Sequence, residues 1–459
     1  MFGFSSPLTP LWSLTRLALP PSRPGLPARV RRRAVACLVG IVAVAGASCA
    51  TIDETTLANV AVEPPVTTPV PERPLTLDDV AKVAVERNPE LLAARAALGV
   101  KSAEAVRAGL WPDPNLTASV TQPDGSTQDG TGFGVGVDWD IGELFVRGTE
   151  HSAALLNVDA GKLALAWQEI TVAGDARVAA AKVSSFAKQL AIAEEARTST
   201  QQVLTQAQQA QESHDAKIDD VGVRQVAALD AESRAFDIVA QLEEAKNDLA
   251  RSLGLPPGVA VQVVTPGAPP DNVADDLDKL FALAKQQRAD LLALEKAYAS
   301  HEQTLQAAVL RQLPHLGASI DVSHDPGNYN AIGGALTIGL PVFDGNRGNV
   351  AVENATRDQL RAEYGLRLFA TRADIAKILA ARGRARVARA ALAVRLPQLE
   401  AAEAQMKKAA AEGNVTTVAH VEVQSALLDA RLRALALDEE EIEQRLALQT
   451  AVGAPGGLR

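Results

Sequence analysis

Residues 132–141 read Gly-Phe-Gly-Val-Gly-Val-Asp-Trp-Asp-Ile, with Phe133, Val135, Val137, Trp139 and Ile141 at alternate positions and Gly132, Gly134, Gly136, Asp138 and Asp140 between them. A period of two sends successive side chains to opposite faces of a strand, so one face is apolar and the other small or acidic. Three more stretches do the same. Leu116, Ala118 and Val120 alternate with Thr117, Ser119 and Thr121; Leu316, Ala318, Ile320 and Val322 alternate with Gly317, Ser319, Asp321 and Ser323. Ile332, Gly334, Leu336, Ile338 and Leu340 alternate with Gly333, Ala335, Thr337 and Gly339. Polar connectors rich in Gly, Asp or Pro, Gln122 to Thr131 and His324 to Ala331, turn each pair into a hairpin. By themselves such strands fit either a membrane barrel with a wet lumen or the edge hairpins of a soluble sandwich.

The two hairpins sit in two copies of one unit. Leu77-Asp78-Asp79-Val80 through Glu90-Leu91-Leu92-Ala93 aligns with Leu277-Asp278-Lys279-Leu280 through Asp290-Leu291-Leu292-Ala293 at a shift of 200 residues. Pro114 to Val120 then falls on Pro314 to Ile320, and Arg147-Gly148 on Arg347-Gly348; by Asp230 on Asp429 and Gly254 on Gly453 the shift has drifted by one. A repeat of this length covers nearly all of the chain beyond its N-terminus.

Between the strands and the end of each copy the composition is helical. No proline occurs from Asp124 to Leu255, and Ala228, Ala231, Ala235, Ile238, Leu242, Ala245 and Leu249 step by three and four as a seam of small residues. Leu428, Leu432, Leu435, Ile442 and Leu446 suggest a matching seam in the second copy. With a turn near Ser213 to Asp219, residues 149–253 predict two antiparallel helices of about 50 residues, each roughly 75 Å long. Pro397 is expected to kink or interrupt its counterpart. Four strands cannot close a barrel, and open edges are not tolerated in lipid. If the strands are membrane strands, several chains must therefore share one wall; three would supply twelve strands.

The first 48 residues carry six arginines and no acidic residue, which leaves the remainder at a net charge of −16, more acidic than the −10 of the whole chain. Nucleic acid is an unsuitable partner for such a surface, because phosphate binding needs clustered cations. Arg31-Arg32-Arg33, the apolar run Ala34 to Ala45 and the small residues ending in Cys49 have the order of an export signal. Cys49 is where an acylated cysteine would stand, acylation and plain cleavage both being open, and translation is expected to begin near Val30. The organisation that follows is a signal at 1–49, a proline-rich linker at 50–74, a first repeat at 75–255, a linker at 256–275 and a second repeat at 276–455.

Leu75-Thr76-Leu77-Asp78-Asp79, Arg87-Asn88-Pro89-Glu90-Leu91, Ala108-Gly109-Leu110-Trp111-Pro112-Asp113-Pro114 and Gly339-Leu340-Pro341-Val342-Phe343-Asp344-Gly345-Asn346-Arg347-Gly348-Asn349 together resemble the TolC family of outer-membrane efflux channels, over nearly all of residues 75–455. The last stretch is closest to the heavy-metal branch, the CzcC-like and CusC-like channels. The resemblance implies a mainly α protomer with a small β part: long coiled-coil hairpins plus four antiparallel strands of a twelve-stranded trimeric barrel. It also implies a homotrimer in outer-membrane lipid, working with a periplasmic adaptor and an inner-membrane pump of the resistance-nodulation-division type, without cofactor. By position in the family pattern, Asp220 and Glu422 fall on acidic sites at the periplasmic gate, where Ala419 replaces a second acid. The adaptor-contact tips fall on His214 and Asp215 in the first copy and Gly413 and Asn414 in the second, where the family usually has Val-Gly-Leu or Val-Gly-Thr. A solvated helix surface is the plainer role for both acids.

Phe133, Trp139 and Tyr329 are candidates for an interfacial aromatic belt, whereas Trp111 and Trp167 read as packing residues. The six histidines are scattered, with no pair at i, i+4 to suggest a metal site. No phosphate-cradling loop, Gly-x-Ser-x-Gly or zinc-protease motif is present, so catalysis is not expected. The main alternative is a periplasmic coiled coil tethered at Cys49 without a pore; a periplasmic adaptor, which carries one helical hairpin, fits a duplicated chain poorly.

Overall fold

The computed structural model describes residues 73–122, 131–214, 217–256, 258–259, 261–264, 275–412 and 414–454. The signal with Cys49, the linker up to residue 72, most of the 256–275 linker, Asp215 and Gly413 lie outside the described residues. Along the chain come α1 (Leu77–Arg87), α2 (Pro89–Gly109), β1 (Asn115–Thr121), β2 (Gly132–Asp140), α3 (Glu143–Glu212) and α4 (Ile218–Ser252). The same order then recurs as α5 (Leu277–Gln287), α6 (Ala289–Leu310), β3 (His315–His324), β4 (Asn330–Gly339), α7 (Arg347–Ala411) and α8 (Thr417–Val452).

Local chemistry sets the helix starts. Thr76 and Asp79 form a reciprocal capping box on α1, and Asn88 accepts from the backbone N–H groups of Glu90 and Leu91 just before Pro89 opens α2. Asp276 caps α5 in the same way, accepting from Asp278 and Lys279.

The long hairpins are unequal, which corrects the expectation of two arms of about 50 residues. α3 has 70 residues and α4 has 35, while α7 has 65 and α8 has 36. The outgoing helix follows its strand after two residues in the first copy and seven in the second, and runs unbroken to the tip. The returning helix stops near mid-length, where Gly254 and Gly453 adopt left-handed φ angles of 61° and 78°. α1 and α2 also pack on α3, as α5 and α6 pack on α7. Added side chains at these glycines have no room: a Cβ at Gly254 would lie 2.6 Å from the Arg87 carbonyl oxygen, and one at Gly453 3.0 Å from Arg288 Cα.

All seven seam residues of α4, Ala228 to Leu249, are buried against α3. The α8 seam differs from its expectation, with Leu427, Ala430, Leu437, Leu448, Ala451 and Val452 buried together with Leu446, and Leu428, Leu432, Leu435 and Ile442 only half-buried. α8 lies between α7 and α3, so its apolar positions are divided between two neighbours. Pro397 does not interrupt α7. Both Pro397 and Ala393, whose carbonyl loses its donor, are exposed, and water can take the missing hydrogen bond.

The four strands form one antiparallel sheet in the order β1-β2-β3-β4. Its register matches apolar to apolar: Val120 opposes Phe133, Leu116 opposes Val137, Val137 opposes Ile320, Val135 opposes Val322, and Val322 opposes Ile332. Directly opposed residues share a face, so four half-apolar strands make one apolar side. On the other side glycines let polar neighbours lie flat, a Cβ at Gly134 or Gly136 falling within 2.6 Å of Ser119 Oγ or 2.8 Å of Thr117 Oγ1.

Candidate functional site

Among the described residues nothing covers the apolar side of the sheet. Ile332 is 83% exposed, Val120 76% and Ile320 67%, values that belong to a surface meeting lipid or another chain. β1 and β4 are the two edges, and neither has a further strand partner among the described residues. The wet side carries Thr117, Ser119, Asp138, Asp140 and Asp321. Asn115 donates to Asp138 at 2.9 Å, and His315 Nε2 lies 2.7 Å from Asp140, whose other oxygen accepts from the N–H groups of Gly142 and Glu143 where α3 begins. No helix among the described residues is long and apolar enough to cross a membrane.

The far ends of the helices form the second part of the site. α3 ends at Glu212 with Ser213 as its C-cap, and His214 turns the chain with a φ of 65°. Asp219 and Asp220 open α4, where carboxylates are favoured by the positive end of the helix dipole. At the second tip Asn414 donates through its backbone to Ala409 and through its side chain to Glu412, and Thr416 caps α8 at Ala419. The two tips are joined: Thr417 Oγ1 donates to Asp220 at 2.8 Å, and further along Arg234 of α4 pairs with Asp429 of α8. Asp220 is therefore half-buried and engaged across the hairpins, whereas Glu422 is exposed on α8. Thr417 and the Arg234–Asp429 pair were not singled out from the sequence; Asp429 served there only to align the repeats.

Residues 80–255 match the family model for outer membrane efflux proteins. Over its first repeat the chain is similar to outer membrane efflux proteins. Solved structures of channels share its fold. CusC, a transmembrane channel, superposes with a TM-score of 0.70 at 17% identity, over 88% of this chain and 99% of that one. The outer-membrane channel OprN gives 0.72 at 16% identity over the same shares, and VceC from Vibrio cholerae 0.69 at 18% identity, over 82% and 96%. No curated protein matches the sequence.

Where each returning helix meets the short ones, the chain has one polar junction per copy. In the first, Asn88 Nδ2 donates to the Ser252 carbonyl at 3.2 Å. In the second, Arg288 replaces Asn88 and donates to the Ala451 carbonyl at 3.1 Å, pairs with both oxygens of Asp290, and lies 4.3 Å from the ring centre of Trp167. Arg367 of α7 reaches Asp290 at 2.8 Å as well. Trp167 thus packs, as its sequence context suggested. Burial alone would raise the Asp290 pKa, but the hydrogen bonds from Arg288 and the charges of Arg288 and Arg367 outweigh it and hold the carboxyl below the ordinary range. A lowered folded-state pKa contributes stability above the unfolded value near 4 and loses it as pH falls through the folded value. Asp290→Asn is expected to flatten this part of the acid dependence of Tm between about pH 5 and 2, and Arg288→Met to cost about 3–5 kcal/mol at neutral pH by leaving a buried carboxylate short of its partner. An unchanged acid slope in Asp290→Asn would remove the pair from the stability account.

Phe133 stacks on His324 with ring centres 5.1 Å apart, Tyr329 is exposed at the far end of the sheet, and Trp139 sits at its base. Trp111 is 61% exposed rather than buried, lying against Trp139 and under Arg147. The histidines stay apart: His301 faces Glu353 and His420 faces Glu403. Among the described residues no group of three or more His, Cys, Asp or Glu side chains is arranged to hold a metal ion.

Proposed function

We propose that three copies of this chain share one twelve-stranded wall and form the exit duct of a tripartite efflux system, conducting small toxic compounds or heavy-metal cations passively from pump and adaptor to the exterior. The observation that carries this reading is the sheet with one continuous apolar face and two open edges, which no single copy can bury. β4 of one copy would pair with β1 of the next, and the flanking helices follow. Val106, near the top of α2, and Val352, near the top of α7, are 66% and 62% exposed at similar depth below the sheet, on helices separated within one copy by α3 and α6. They would meet only between copies. The heavy-metal branch rests on residues 339–349, an adaptor would dock at the tips around His214, Asp215, Gly413 and Asn414, the pump would be of the resistance-nodulation-division type, and Cys49 would carry the lipid. Glu422, repeated by the threefold axis, would face incoming cargo as a carboxylate ring that favours cations. A tethered coil without a pore would leave the apolar face in water, which disfavours it.

Val106→Cys combined with Val352→Cys tests the arrangement. Under oxidation a ladder ending at the trimer is expected, absent from either single variant, and the purified trimer is expected to conduct ions in planar bilayers. Monomeric product with no conductance would end the shared-wall reading.

A further inference from the structure

A cavity of about 840 Å³ lies where the strands give way to the helices, its lining including Ala153 of α3 and Ala307 and Ala308 of α6. Arg107, Trp111 and Arg147 also line it. Its side of the wall is fixed by Trp139, which belongs to the apolar face of β2. Trp139 stacks on Trp111 with ring centres 6.0 Å apart and donates from Nε1 to the Pro112 carbonyl at 2.8 Å, and both partners line the cavity. Asp140 and His315, on the wet face at the same height, do not. The cavity therefore opens below the lipid-facing side, at the level of the periplasmic head groups. Connectors at that level expose Leu110 (64%), Leu313 (59%) and Phe343 (97%), as a segment at the acyl boundary would.

The polar lining is of two kinds. Some charges are already committed: Arg147 donates to the carbonyls of Gly109 and Leu110, and Arg311 bridges Glu143 and Glu150. The side chains of Glu104 and Arg107, one turn apart on α2, and of Asp113 in the connector beyond it have no hydrogen-bond or ion-pair partner among the described residues, and all three line the cavity. A free guanidinium beside a free carboxylate, with a tryptophan face next to them, matches a ligand carrying both an anion and a cation.

We propose that this cavity seats the head group of a zwitterionic phospholipid of the periplasmic leaflet, its phosphate on Arg107 and its ammonium on Glu104. The glycerol backbone lies against Trp111 and the acyl chains run up the apolar face past Trp139. A neighbouring copy would reach α2 through Val106, whereas Glu104 lies on nearly the opposite side of that helix, and Ala153, Ala307 and Ala308 lie at the middle of the protomer. The inference rests on the shared-barrel reading, and the two fail separately.

Purified protein in detergent, titrated with phosphatidylethanolamine or with phosphatidylglycerol and read by native mass spectrometry, tests it. Up to three phosphatidylethanolamine molecules per trimer are expected, held more tightly than phosphatidylglycerol, with Arg107→Ala weakening retention about tenfold, the size of one charge-assisted hydrogen bond. Glu104→Gln is expected to abolish the preference between the two lipids. Trimers that bind both lipids alike and ignore both substitutions carry annular lipid only, which overturns the proposal, as do trimers without bound lipid. Absence of the trimer peak in the unmodified protein instead overturns the barrel.

Discussion

Arginine in place of Ile320 is expected to stop the barrel from forming. Ile320 lies mid-strand in β3, opposes Val137 on one side and Gly334 on the other, and belongs to the apolar face. A charge on the lipid face near the bilayer midplane costs about 2–4 kcal/mol, and a trimer takes that cost three times in one cooperative structure. Ser319→Arg, one residue away on the wet face, changes the charge equally and leaves the lipid face intact. The expected result is loss of the trimer and of outer-membrane residence for Ile320→Arg, with both kept by Ser319→Arg, scored by heat-modifiable migration and membrane fractionation. Equal assembly of the two variants would mean that the alternating faces have been assigned to the wrong surroundings.

The second large effect concerns the tips. Opening a duct of this shape requires the hairpins to separate at the end away from the sheet, and the Asp220–Thr417 bond and the Arg234–Asp429 pair hold α4 to α8 there. Asp220→Ala with Asp429→Ala is expected to raise the conductance of resting trimers in planar bilayers severalfold. Thr417→Ala separates latch from charge, since it removes the bond and keeps the carboxylate. If Asp220 acts as a latch, Thr417→Ala reproduces part of the increase; if it acts only as a ring charge, Thr417→Ala does nothing while Asp220→Ala shifts ion preference. Glu422→Ala is expected to lower cation preference without opening the duct. Resting conductance unchanged in the double variant would dissociate these bonds from gating.

Much of this architecture was readable from residue order because it depends on periodicity. The alternation in 132–141 and its three counterparts fixed both strands and faces, since a one-residue slip would turn every side chain to the wrong side. The α4 seam was equally plain, because α4 packs mainly on one neighbour. What escaped depended on three-dimensional partners. The arms were unequal because the end of α4 is set by a left-handed glycine at 254 packed against Arg87, a contact from 167 residues earlier in the chain. The α8 stripe split because two helices flank it, and a single-period reading assumes one. Asp220 was picked out through its place in a family pattern, yet its partner Thr417 lies 197 residues away and no local signal links them. Asp290 sat in full view inside the aligned segments, where it read as a repeat marker, and Arg288 passed unremarked; setting Asn88 beside Arg288 at the same repeat position would have shown the divergence between the copies.

That divergence has a consequence for the ring. In the proposed ring of three copies, six such junctions would surround the axis, held alternately by a neutral amide and by an ion pair. Acid would break a carboxylate–guanidinium bond at every other spoke only, so an acid-stressed ring of three copies would slacken first at those three points, yielding along a triangular rather than a hexagonal outline.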